Sequence, residues 1–126
     1  MSKALMRTAA RWRIPRDLAL IVISRDSRCI YCNRLFETSP NSRAAWPSWE
    51  HIVNDGALVN ASNIALCCAS CNSSKGTKSL EKWLESKYCK EREITRHSMT
   101  PIAISGLLEP LGRSESPQER RLNEDL

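Results

Sequence analysis

The sequence predicts a small α+β domain. At 126 residues the chain falls in the size range of a single domain. Its apolar residues come in short stretches, some with helical spacing and one with strand character. Its six cysteines include two Cys-x-x-Cys pairs, Cys29 with Cys32 and Cys68 with Cys71. Only 6% of residues are aromatic and Phe36 is the sole Phe, so the core is thin and a covalent or coordinate staple matters.

Residues 1–15 read as a basic arm or helix carrying Lys3, Arg7, Arg11 and Arg13. Pro15 sits where a helix can begin, with Asp17 in the first turn. Leu18, Leu20, Ile21, Val22 and Ile23 then predict a largely buried helix from Arg16 to Arg25, with a strand as the competing reading of the β-branched run. The stretch CIYCN at 29–33 predicts a tight knuckle, and 37–48 a turn-rich loop. Trp49 to Val53 reads as a short strand, and Asn54-Asp55-Gly56 as a turn into a hairpin partner at Ala57–Val59.

Ser62 or Asn63 is placed to cap a helix through Ile64, Ala65 and Leu66. Ser79 is placed to cap one over 80–93, with Leu80, Trp83, Leu84 and Tyr88 along one face. Residues 91–126 read as a C-terminal extension, partly disordered, polar and charged from Gly112 onward.

A formal net charge of +5 suits a protein that meets a polyanion. No apolar run approaches the roughly 18 residues of a membrane span, and LALIVI at 18–23 is hemmed in by charges. The N-terminus lacks the apolar core of a secretory signal, so a soluble cytoplasmic protein is expected. In a reducing compartment the cysteines favour metal over disulfides. Two knuckles complete a tetrahedron with no open position, the pattern of a structural zinc site held by Cys29, Cys32, Cys68 and Cys71. Such binding is worth on the order of 10 kcal/mol or more, enough to decide whether a small domain folds. Cys67 and Cys89 are read as packing residues.

Between the pairs lie Glu50, His51 and Asn63, and Asn72 follows the second pair directly. Taken singly, a Glu-His pair is a surface ion pair, Asn63 a helix cap and Asn72 a turn residue. Taken together they supply what phosphodiester hydrolysis needs. An imidazole with a pKa of about 6.5 can take a proton from water near neutral pH. Carboxylate and amide oxygens favour a hard divalent ion that stabilises charge on the leaving oxygen.

The ordered series Cys-x-x-Cys, acid-His, Asn, Cys-x-x-Cys-Asn, then Lys and Gly resembles the HNH (ββα-metal, or His-Me finger) endonucleases, specifically their zinc-stapled branch. The match covers about residues 16–86 and implies a nuclease domain over 16–90. It implies a two-stranded hairpin packed on a helix and gripping one Mg²⁺ or Mn²⁺, with His51 as general base and Glu50 and Asn72 as metal ligands. Asn63 would hold the loop and orient His51. Asn72 stands where the family name has His, as in some members, and Glu50 stands where Asp is commoner.

Lys75 and Lys78, with Lys82 beyond them, read as phosphate contacts that position DNA without reading its sequence. The same chemistry would serve RNA. Cutting both strands would call for a homodimer, and cleavage specificity for a partner protein. The alternative function is a zinc-knuckle nucleic-acid-binding module without catalysis.

Overall fold

Small residues and a spaced pair, Leu5 and Ala9, let Ser2–Arg11 form a helix, α1, with one buried face. The basic N-terminal stretch is therefore helical over most of its length in this computed structural model, which describes residues 2–108. Arg13 turns the chain at φ 60°, and Arg16–Arg25 forms α2. The helical reading of that run holds, but its burial is one-sided. Ala19 and Val22 are fully buried, while Leu20 and Ile21 remain 44% and 56% exposed. Only one stripe of α2 meets the rest of the molecule, so the expectation of a largely buried helix is corrected.

The end of α2 is fastened by Asp26, a buried carboxylate. It accepts from Arg25 Nε at 2.7 Å and Nη2 at 2.9 Å, and from the Leu66 backbone N–H at 3.0 Å. Arg25 also donates to the carbonyl oxygens of Ala61 and Ile64. A charged pair thus locks a helix terminus to a strand.

The 37–48 stretch contains a 3₁₀ turn over Pro40–Ala45, capped by Ser39. The sheet has two antiparallel strands, β1 (Pro47–His51) and β2 (Ile64–Cys68), paired from Pro47 opposite Cys68 to His51 opposite Ile64. The second strand is therefore not Ala57–Val59, and Ile64–Leu66 is strand rather than helix. All five β2 residues are buried, and a strand can present alternate side chains to two cores. Ile64 and Leu66 join Leu5, Ala9, Ile14, Val22 and Trp49 on one side, while Ala65 and Cys67 join the core that contains Tyr31 and Trp83.

Helix α3 (Ala69–Lys75) leaves β2 directly, with the Cys68 sulfur accepting from the Cys71 N–H. The single helix expected over 80–93 is two short ones, α4 (Leu80–Leu84) and α5 (Lys87–Glu91). Ser86 breaks it: its hydroxyl accepts from the Cys89 N–H and starts a new helix. Beyond residue 93, Ile94, Met99 and Ala103 are buried in the Tyr31–Trp83 core, and α6 (Pro101–Leu108) closes it. Thr100 fastens this segment by donating from N and Oγ1 to the Ile30 carbonyl, at 3.0 and 3.2 Å. The part of the C-terminal extension called polar, from Gly112 onward, lies outside the described residues. No helix among the described residues is long and apolar enough to cross a membrane.

Candidate metal centre and polar site

The first knuckle is built on a tight turn. Arg28 bridges Leu35, the Asn33 N–H donates to the Cys29 carbonyl, and Asn33 takes a left-handed φ of 66°. The Cys32 N–H points at the Cys29 sulfur at 3.5 Å, as the Cys71 N–H points at Cys68 at 3.4 Å in the second knuckle. Both knuckles thus direct backbone dipoles at sulfur.

The sulfurs of Cys29, Cys32, Cys68 and Cys71 all lie within 4.8 Å of one another, and Cys32 Sγ is 3.8 Å from Cys68 Sγ. A tetrahedral zinc with bonds of about 2.3 Å needs sulfurs separated by about 3.8 Å, so the geometry fits that ion. The electrostatics point the same way. Bonds from Cys29, Cys32 and Cys71 hold the Cys68 thiol far below the ordinary thiol range. The neighbouring sulfurs, Cys29 first, push Cys71 far up, and the Cys32 contact likewise raises Cys29. Cys32, half-buried, is held at about 7, chiefly by its bond with Cys29. Four thiols this close resist joint ionisation, and a cation among them removes the conflict. Among the described residues this is the one cluster of three or more His, Cys, Asp or Glu side chains suited to a metal.

Cys67 stands apart from the four. It is fully buried on β2 beside Ser48, and burial, then Glu50, pushes its thiol well up. Cys89 is buried in the same core. Both are packing residues.

Glu50 turns from β1 toward the knuckle side of the sheet and is buried. Its Oε2 accepts from the Tyr31 hydroxyl at 2.6 Å and lies 3.1 Å from Lys75 Nζ. Lys75 is 1% exposed, and its ammonium has no well-aligned hydrogen bond beyond this ion pair. The expected role of Lys75 as a phosphate contact is therefore corrected, because the last turn of α3 turns it inward to neutralise Glu50. Glu50 Oε1 meets no donor among the described residues. Tyr31 links the two sites: it sits between the first two cysteines, and burial followed by the Glu50 charge pushes its hydroxyl well up.

His51 ends β1, half-buried, and strand alternation sets it on the face opposite Glu50. No hydrogen bond joins its ring to Glu50 or Asn72. Asn63 is buried and pins the chain after β1: Oδ1 accepts from the Val53 N–H at 2.7 Å, and Nδ2 donates to the carbonyls of Val53 and Leu58. Asn72 lies on α3 and is tied back to β1, with Nδ2 donating to Ser48 Oγ at 2.9 Å and to the Trp49 carbonyl at 3.0 Å. Its Oδ1 has no partner among the described residues. Lys78 and Lys82 are exposed, and Lys78 Nζ donates to the Ser74 carbonyl.

Reading the residues singly missed Asp26, Tyr31 and Tyr88. Tyr31 carried a signal, since it sits between Cys29 and Cys32 and is carried by the same knuckle. Tyr88 carried only its place on the apolar helix face, and Asp26, which acts across the fold, carried none. No family model matches the chain, and no curated protein or solved structure matches it significantly.

Proposed function

We propose that this chain is a metal-dependent HNH-type endonuclease that hydrolyses DNA phosphodiester bonds. One observation carries the reading. Between two cysteine knuckles β1 ends on His51 and Asn63 pins the returning loop, and directly after the second knuckle α3 brings Asn72 back onto the Trp49 carbonyl. A binding module has no use for a fixed asparagine and a half-buried imidazole at the two ends of such a strand–strand–helix unit.

In this reading His51 takes the proton from the attacking water, a role suited to an imidazole with no competing hydrogen bond. Glu50 Oε1 and Asn72 Oδ1 are hard oxygen donors, and they would hold Mg²⁺ or Mn²⁺, which when bound supplies charge stabilisation at the leaving oxygen. Lys75 and Tyr31 hold the Glu50 side chain in place. Lys78 and Lys82 are the lysines left for phosphate contact. The cysteine centre takes no part in the reaction, because four protein ligands leave no open position.

The test is cleavage of supercoiled plasmid with Mg²⁺ or Mn²⁺. The wild type should nick or linearise it, and His51→Ala should be slower by about 10²–10⁴-fold with zinc content and DNA affinity kept. A wild type that binds DNA yet leaves plasmid intact with both ions would make the chain a zinc-knuckle binding module instead.

A further inference from the structure

Helix α5 presents Tyr88 to the cysteine centre. Its hydroxyl lies 3.3 Å from Cys71 Sγ as donor and 2.8 Å from Ser70 Oγ. The ring is clamped from outside by Arg92, whose guanidinium carbon sits 3.7 Å from the ring centroid. From inside, Trp83 packs at a centroid distance of 5.9 Å. Neither Tyr88 nor Arg92 belongs to the Glu50–His51–Asn72 site.

Proton counting fixes the direction of this chain of bonds. A metal-bound Cys71 is a thiolate and can only accept, so the single Tyr88 proton must point at sulfur. The Ser70 hydroxyl must then donate to the Tyr88 oxygen. With Cys71 protonated, the order can reverse. We propose that Tyr88, backed by Ser70 and held by Arg92, is a positioning residue of the metal centre that donates to the Cys71 thiolate and so sets how tightly the ion is retained.

The magnitude follows from the bond type. A hydrogen bond to a charged acceptor outweighs a neutral one, and removing an outer partner of a metal ligand typically costs about 10–100-fold in affinity. The donor also withdraws electron density from sulfur, which a spectroscopic probe can read. Neither effect depends on the chain being a nuclease.

The experiment uses the full chain loaded with Zn²⁺ or, for spectroscopy, Co²⁺. Tyr88→Phe keeps the ring and its packing. It should weaken Zn²⁺ retention against a competing chelator by about 10–100-fold and move the sulfur-to-cobalt charge-transfer band to lower energy. Ser70→Ala should move both readouts the same way by less, since it removes only the donor behind Tyr88. Wild-type affinity and an unmoved band in Tyr88→Phe would overturn the proposal. So would weakened retention with an unmoved band, because that pattern belongs to lost packing. If Tyr88→Phe fails to fold, Ser70→Ala alone decides by the same band: an unmoved band overturns the proposal and a shift to lower energy sustains it.

Discussion

Toward α1 and α2, the sheet buries Trp49, Ile64 and Leu66 against Leu5, Ala9 and Val22, with the Trp49 indole N–H donating to the Leu5 carbonyl at 2.9 Å. Toward the knuckles, the same two strands bury Glu50 and Cys67 beside Tyr31, Lys75 and the four clustered sulfurs. Both faces bury apolar side chains, but the knuckle face adds a buried ion pair and four sulfurs to them. On an apolar face, damage scales with the volume removed, and neighbours partly relax into the gap. On the polar face each group is held by a specific partner, and losing one strands the other in low dielectric. The contrast teaches where this small domain is graded and where it is all-or-none.

The largest effect should come from the sulfurs. Cys29→Ser, or a strong chelator, should abolish cooperative unfolding, since structural zinc contributes on the order of 10 kcal/mol. Cys67→Ser should keep the metal, because its sulfur lies outside the cluster. A metal analysis of both variants checks this, and zinc loss from Cys67→Ser would break the assignment.

Next comes the ion pair. Lys75→Met leaves the Glu50 carboxylate buried without its cation and should cost about 3–5 kcal/mol in denaturant unfolding. Adding Glu50→Gln removes the stranded charge and should restore much of that loss. A double variant no better than Lys75→Met would show that the pair is not the source of the cost.

On the other face, Leu66→Ala should cost about 2–5 kcal/mol, as deletion of core volume does. No partner substitution at a charged residue should restore it, which sharpens the contrast with Lys75.

The smallest effect is in pH. The chain has two tyrosines, and burial raises both, with Glu50 adding to the shift of Tyr31 and Cys71 to that of Tyr88. A raised folded pKa gives stability that is full below the unfolded value of about 10 and is lost as pH rises above it. Tyrosinate absorbance should therefore stay silent just above pH ~10 and appear together with unfolding. A tyrosine that ionises in the folded protein before then would contradict this burial.

The cysteine centre was legible because Cys-x-x-Cys spacing is a local rule that long-range packing does not alter. Helix α2 was legible from Pro15 and Asp17, although Leu20 and Ile21 show that an apolar run does not reveal how many of its faces find partners. The strand at Ile64–Cys68 was misread because its alternation is hidden when both faces are buried. Continuous burial leaves no polar positions to mark the period. The split between α4 and α5 turned on Ser86, whose hydroxyl competes with the backbone in a way an apolar face pattern does not register. Lys75 was misplaced for a different reason. Its charge suggested solvent, and only the fold shows that Glu50 awaits it inside. At Asn63 the sequence suggested both a cap and a loop tie, and the structure supplies the loop tie.

The two knuckles also set a clock. Cys32 and Cys68 lie 36 positions apart, and Thr100, which covers the first knuckle, follows Ile30 by 70. A ribosome adding about 5–20 residues per second exposes the first sulfur pair roughly 2–7 s before the second. During that interval the nascent chain holds two thiols with nothing to complete them, in reach of oxidant or any passing soft metal. The covering segment emerges later still, so the newborn protein completes its centre before it can close over it.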